Sequence, residues 1–228
     1  MIGPQRIIRK MRKELLAKRD LDRALQIFHR YSEYTMIPAM KFASNALLCE
    51  KKGITEGCIV ECGVWRGGMS AGIADILPGR THYLFDSFEG LPPATNLDGP
   101  GATEFQRDVH SVFYRDNLRA ERSFAERAMN LSAAKESFLV PGWFEDTVAN
   151  VAFPTPIAVL RLDGDWYEST MQCLSGLYSK VSPGGLIIID DYYDWEGCAR
   201  AVHDFLSAHK LIDRLRQTEQ EVCYFIKS

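Results

Sequence analysis

Cys58-Ile59-Val60-Glu61-Cys62-Gly63-Val64-Trp65-Arg66-Gly67-Gly68 is the stretch that decides the fold. A short apolar strand runs into a glycine turn, and Met69 to Leu77 then reads as a helix. Glycine lets backbone approach a ligand closely, and a helix N-terminus favours anionic groups. The spacing is not the GxGxxG of a dinucleotide turn, which disfavours a nicotinamide-dependent reductase. Glu61 precedes the first glycine, where an acid would meet an ammonium group rather than a pyrophosphate.

Outward from this turn the pattern repeats. Tyr83-Leu84-Phe85 is stopped by Asp86, Phe138-Leu139-Val140 by Pro141-Gly142, Ile157 to Leu162 by Asp163, and Leu186 to Ile189 by Asp190-Asp191. Strands that are apolar throughout are buried on both faces, and their alternation with helices predicts an α/β fold with a mostly parallel sheet. Leu211–Leu215 and Val222–Ile226 are expected to close the sheet as an antiparallel pair. Ligands in such sheets bind beyond the carboxyl ends of the strands. Asp86 is therefore placed to hydrogen-bond a pair of ribose hydroxyls.

Residues 1–52 read as an N-terminal helical extension and 53–228 as the main domain, with a lid-like insertion at about 92–131. Within the insertion, Pro92 to about Arg107 is expected to be mobile and Asn117 to Met129 helical. Ile7, Ile8, Met11, Leu15 and Leu16 form an apolar stripe that would pack on the domain or on a second copy of the chain. The chain has 228 residues, 46% hydrophobic, with a formal net charge of −3, so no general attraction to nucleic acid or anionic membrane is expected. Its six cysteines form no CxxC pair and no zinc spacing, which suits buried free thiols in the cytoplasm. His29, His203 and His209 read as structural, His82 as preceding a strand, and His110 as lying by the lid.

Asp163, Asp165, Asp190 and Asp191 gather at strand ends. Carboxylates on one edge repel each other unless a cation sits among them, and all-oxygen ligands suit magnesium, with manganese or calcium as alternatives. The bland alternative makes Asp163 and Asp190 helix N-caps. A cation here would acidify a substrate hydroxyl, and Asp165, beside Asp163 but free of its direction, is the candidate general base. Asp163-Gly164-Asp165 is also a DxD pattern, so a metal-dependent glycosyltransferase is a rival. An inactive cofactor-binding module is another, disfavoured by the intact carboxylate set.

The chain resembles the TylF-type macrocin O-methyltransferases, which methylate sugar hydroxyls of natural-product glycosides. The resemblance runs from about Tyr34 to the C-terminus. It rests on Tyr34-Thr35-Met36, Glu61 to Gly68, Phe85 to Pro92, Gly142 to Thr147, Arg161 to Thr170, Pro183-Gly184-Gly185 and Asp190-Asp191-Tyr192. It implies a class I S-adenosylmethionine-dependent methyltransferase fold with an antiparallel last strand. It implies cofactor contacts from Glu61, Gly63, Val64, Trp65, Arg66, Gly67, Asp86 and Ser87, with Trp143 and Phe144 near the adenine and Thr35 and Met36 closing over the ligand. It further implies magnesium at Asp163, Asp190 and Asp191, with Asp165 as base. Trp166 departs from the smaller apolar residue usual there, which makes it and Tyr192 candidates to stack on the acceptor.

Overall fold

A computed structural model describes residues 4–228, with side chains from residue 14 onward. The expected stripe at Ile7, Ile8 and Met11 lies outside the described side chains; Leu15 and Leu16 are exposed. Two helices, α1 (Pro4–Tyr31) and α2 (Ala39–Lys52), precede the sheet. Then come β1 (Cys58–Cys62), α3 (Gly68–Ile76), β2 (Thr81–Asp86), α4 (Gly99–Arg107), α5 (Arg122–Asn130) and β3 (Glu136–Pro141). The chain continues through α6 (Phe144–Thr147), β4 (Ile157–Leu162), α7 (Tyr167–Leu177), β5 (Val181–Ile189), α8 (Glu196–Ala208), β6 (Arg216–Gln217) and β7 (Cys223–Ile226).

The sheet has the order β3-β2-β1-β4-β5-β7-β6. Strands β1 to β5 pair in parallel, while β7 runs antiparallel to β5 and β6 antiparallel to β7. The central strands β1 and β4 are buried at every position, as strands covered on both faces must be. On one face Ile59, Val159 and Ile188 pack with Phe42, Ala46 and Cys49 of α2 and with Ile73 of α3. On the other face Val60, Leu160 and Ile187 pack with Leu174 of α7 and with Val202 and Phe205 of α8. The second N-terminal helix therefore shares the core of the sheet.

Four local expectations differ from the structure. The strand opposite β7 is Arg216–Gln217, not Leu211–Leu215, because Leu211 and Leu215 turn into the core beneath α8 instead of joining the ladder. The second half of the 92–107 segment is helix α4, anchored by the buried Asp98. The expected helix over 117–129 begins only at Arg122, since Arg115 to Leu118 all have positive φ, between 43° and 60°. The Asn117 side chain donates to the Leu91 carbonyl (2.7 Å), tying that turn to the start of the 92–107 segment. His82 lies within β2 and is buried, with Nε2 unpartnered among the described residues.

Candidate active site

The carboxyl ends of β1, β2, β4 and β5 open on one cavity of about 940 Å³. Its floor begins at the glycine turn. Gly63 has φ 86°, and a Cβ there would meet the Asp163 carbonyl oxygen at 1.7 Å, so no other residue fits this crossing of β1 and β4. Asp86 closes the turn from the next strand: Oδ2 accepts from the Val64 and Trp65 amides (2.7 and 2.8 Å) and Oδ1 from the Phe88 amide (2.6 Å). Burial pushes its carboxyl up, and these three amides pull it back. Asp86 still lines the cavity, but its first task is to shape the loop that carries Gly63 to Trp65.

Thr35, Met36, Glu61, Gly63, Val64, Trp65, Asp86, Ser87, Trp143 and Phe144 all line this cavity. Arg66 and Gly67 are not in its wall. The Arg66 guanidinium lies over the rings of Trp65 and Phe124 (4.5 Å each), and Gly67 packs against Ala125 of α5. Tyr192 and His110 are outside the lining as well. Trp166 reaches the cavity but is 1% exposed, and its Nε1 donates to the Pro92 carbonyl (2.9 Å). Its ring is thus wall packing that fastens the 92–107 segment, rather than a surface for stacking an acceptor.

Further along the edge, one carboxylate oxygen each from Asp163, Asp190 and Asp191 lie within 4.8 Å of one another. Neither Asp163 nor Asp190 caps a helix. The first amide of α7, on Tyr167, donates to Asp98 Oδ1 (2.6 Å), so the 92–107 segment supplies that cap. Asp165 stands just outside the trio with φ 56°. Its amide donates to Asp191 Oδ2 (3.0 Å), and its Oδ1 accepts from Trp195 Nε1 (2.9 Å). Burial, followed by mutual repulsion with the neighbouring aspartates, drives Asp165 and Asp191 well above the usual carboxylate range.

Arg161, on β4, is the central residue that motif reading left without a role. It is fully buried, with Nη1 2.6 Å from Glu61 Oε1 and 2.9 Å from Asp163 Oδ2, and Nη2 3.0 Å from Asp190 Oδ1. Lys41 of α2 adds a second cation, 3.4 Å from Asp190 and 2.8 Å from Asp194. Burial alone would raise Asp190, but Arg161 and Lys41 hold it below the ordinary value. Ser70 Oγ donates to the other oxygen of Glu61. Burial lifts the Glu61 carboxyl to about 7 against the pull of Arg161. The local signal for Arg161 was available: an arginine inside an otherwise apolar strand has to be paired.

The donor set fits a hard divalent cation. The three ligand candidates offer oxygen alone, they converge, and Arg161 and Lys41 engage Asp190 far more than Asp191.

Residues 21–227 match the family model described as macrocin-O-methyltransferase (TylF). The chain is 34% identical over 207 residues to mycinamicin III 3''-O-methyltransferase of Micromonospora griseorubida, covering 86% of this chain and 79% of that protein. It is 34% identical over 204 residues to demethyldecarbamoylnovobiocin O-methyltransferase of Streptomyces niveus, covering 84% and 75%. Among solved structures, that of the O-methyltransferase NovP superposes with a TM-score of 0.69 at 31% identity, covering 86% of this chain and 82% of that one.

Proposed function

Because the chain belongs to the TylF macrocin O-methyltransferase family, we propose that it methylates a sugar hydroxyl of a natural-product glycoside, with a divalent cation, most simply magnesium, at the site of transfer. Its fold is that of the class I S-adenosylmethionine-dependent O-methyltransferases, and its reaction is an O-methylation. The observation that carries the finer reading is one cavity wall that passes from the glycine turn to the aspartate trio.

In this reading Glu61, Gly63, Val64, Trp65, Asp86 and Ser87 hold S-adenosylmethionine, Trp143 and Phe144 flank its adenine, and Thr35 and Met36 cover it. Supplied by the cofactor is an electrophilic methyl group; supplied by the cation is Lewis acidity toward the acceptor hydroxyl. Asp163, Asp190 and Asp191 hold that cation. Arg161 keeps Asp163 and Glu61 at fixed separation, so the methyl donor and the acceptor meet in a set geometry. Asp165 takes the hydroxyl proton. Arg66 and Gly67 act behind the turn, through Trp65 and α5, and hold the loop in shape. The buried free cysteines support action in the cytoplasm, and exposed Leu15 and Leu16 support self-association through the N-terminal helices.

The test is a panel of glycosides and their aglycones incubated with methyl-labelled cofactor, with magnesium or with chelator. Label should enter a sugar hydroxyl only in the magnesium arm. Transfer to the aglycones alone would overturn the sugar assignment, and equal transfer with chelator would overturn the cation.

A further inference from the structure

Trp195 sits four residues after Asp191, in the turn that joins β5 to α8, where its amide donates to the Asp191 carbonyl (2.9 Å). Its indole Nε1–H donates to Asp165 Oδ1 at 2.9 Å. The same ring meets Trp166 edge-on at 5.0 Å between centroids and Phe105 of α4 at 5.6 Å. Asp165 is thus gripped twice, by the indole at its carboxylate and by Asp191 Oδ2 at its amide. Among the described residues nothing donates to Asp165 Oδ2, and Asp165 lines the cavity.

A carboxylate turns easily about its last torsion, which is broad. An indole N–H is a donor only, so it cannot compete for the proton it helps to place. We infer that Trp195 is a positioning residue for the methyl transfer: its N–H fixes the Asp165 carboxylate so that Oδ2 receives the acceptor proton, and the lid helix α4 sets the indole through Phe105. In that step the acceptor O–H bond breaks and the proton passes to Oδ2. The hydroxyl oxygen bonds to the methyl carbon, the methyl–sulfur bond breaks, and its electron pair stays on sulfur as the neutral thioether. This rests on the reading of Asp165 as the base.

The test compares Trp195→Phe, Asp165→Asn and the double variant, all as full chains with magnesium, cofactor and an accepted glycoside. Trp195→Phe keeps a ring but loses the donor. Its kcat should fall about tenfold, the usual scale for removing a group that orients a reacting one, with KM for both substrates unchanged within about twofold. The loss should vanish in the Asp165→Asn background, where there is no carboxylate to orient. Should Trp195→Phe fail to bind cofactor, benzothienylalanine at position 195 replaces only the N–H by sulfur and carries the same expectation. Undiminished kcat in Asp165→Asn rejects the base. A slowed Asp165→Asn beside a Trp195→Phe of full kcat rejects the positioning role alone. An equal further loss in the double variant also rejects it, because the N–H would then act elsewhere.

Discussion

Arg161 carries a full charge with no access to solvent, and three carboxylates surround it. Removing one member of such a network leaves the others buried and unpaired, which costs on the order of 3–5 kcal/mol. Arg161→Met should therefore lower stability by about that amount in urea unfolding, although methionine fills much of the space. Asp191 has the opposite character. Its carboxylate faces Asp165, Asp163 and Asp190, and burial and their repulsion both oppose its ionisation. Asp191→Asn should leave the metal-free chain as stable as before or raise its melting temperature, while abolishing magnesium-dependent turnover. A melting temperature that falls by several degrees would show Asp191 to be a structural residue instead.

At the scale of elements, Asp98 joins the 92–107 segment to α7: Oδ1 caps α7 at Tyr167, and Oδ2 accepts from the Thr95 amide and hydroxyl (2.7 and 2.8 Å). Asp98→Ala should cost about 1–2 kcal/mol, the scale of a lost cap, and should open residues 92–107 to protease before the rest of the chain. None of this was legible beforehand, because a Thr95–Asp98 turn among Pro92-Pro93 and Gly99-Pro100-Gly101 has the composition of a mobile loop, and its partner lies about seventy residues away. The parallel strands were legible, because β1, β4 and β5 each carry an apolar run (Cys58 to Val60, Ile157 to Leu160, Leu186 to Ile189) that ends near an acid or a glycine turn. The gathering of Asp163, Asp190 and Asp191 at one edge was legible as well, since it follows from strand direction; their selection as a ligand set came from the family resemblance. The contacts of Trp166 and Trp195 with each other and with Phe105 were not legible, because ring contacts between distant segments have no sequence spacing. Strand β2 also buries His82 as the neutral ring, with desolvation lowering its pKa from about 6.5 to about 3. The unfolded chain binds that proton more readily, so the stability is present above pH 6.5 and lost as pH falls toward 3, by at most about 1.4 kcal/mol per unit. His82→Phe should flatten this acid limb in chemical denaturation curves; an unchanged slope would assign the limb to other groups.

Across the whole molecule, the topology sends β1 and β4 side by side to the same edge, with Glu61 paired to Arg161 in register. The cavity wall at the glycine turn and the aspartate trio are thus joined by one guanidinium, which bonds Glu61 and Asp163 through the same nitrogen. A cation at the trio would draw Asp163 away from Arg161 and leave that nitrogen more fully committed to Glu61. The two ligands must then influence each other, and linkage requires the influence to be equal in both directions. Titration calorimetry should give a cofactor Kd that changes on adding magnesium and a magnesium Kd that changes on adding cofactor by the same factor, within the fivefold to 150-fold range typical of coupled sites. Arg161→Met should remove the coupling wherever the variant remains folded. Two affinities that ignore each other in the intact chain would mean that the shared guanidinium transmits nothing, and that the edge holds two independent sites.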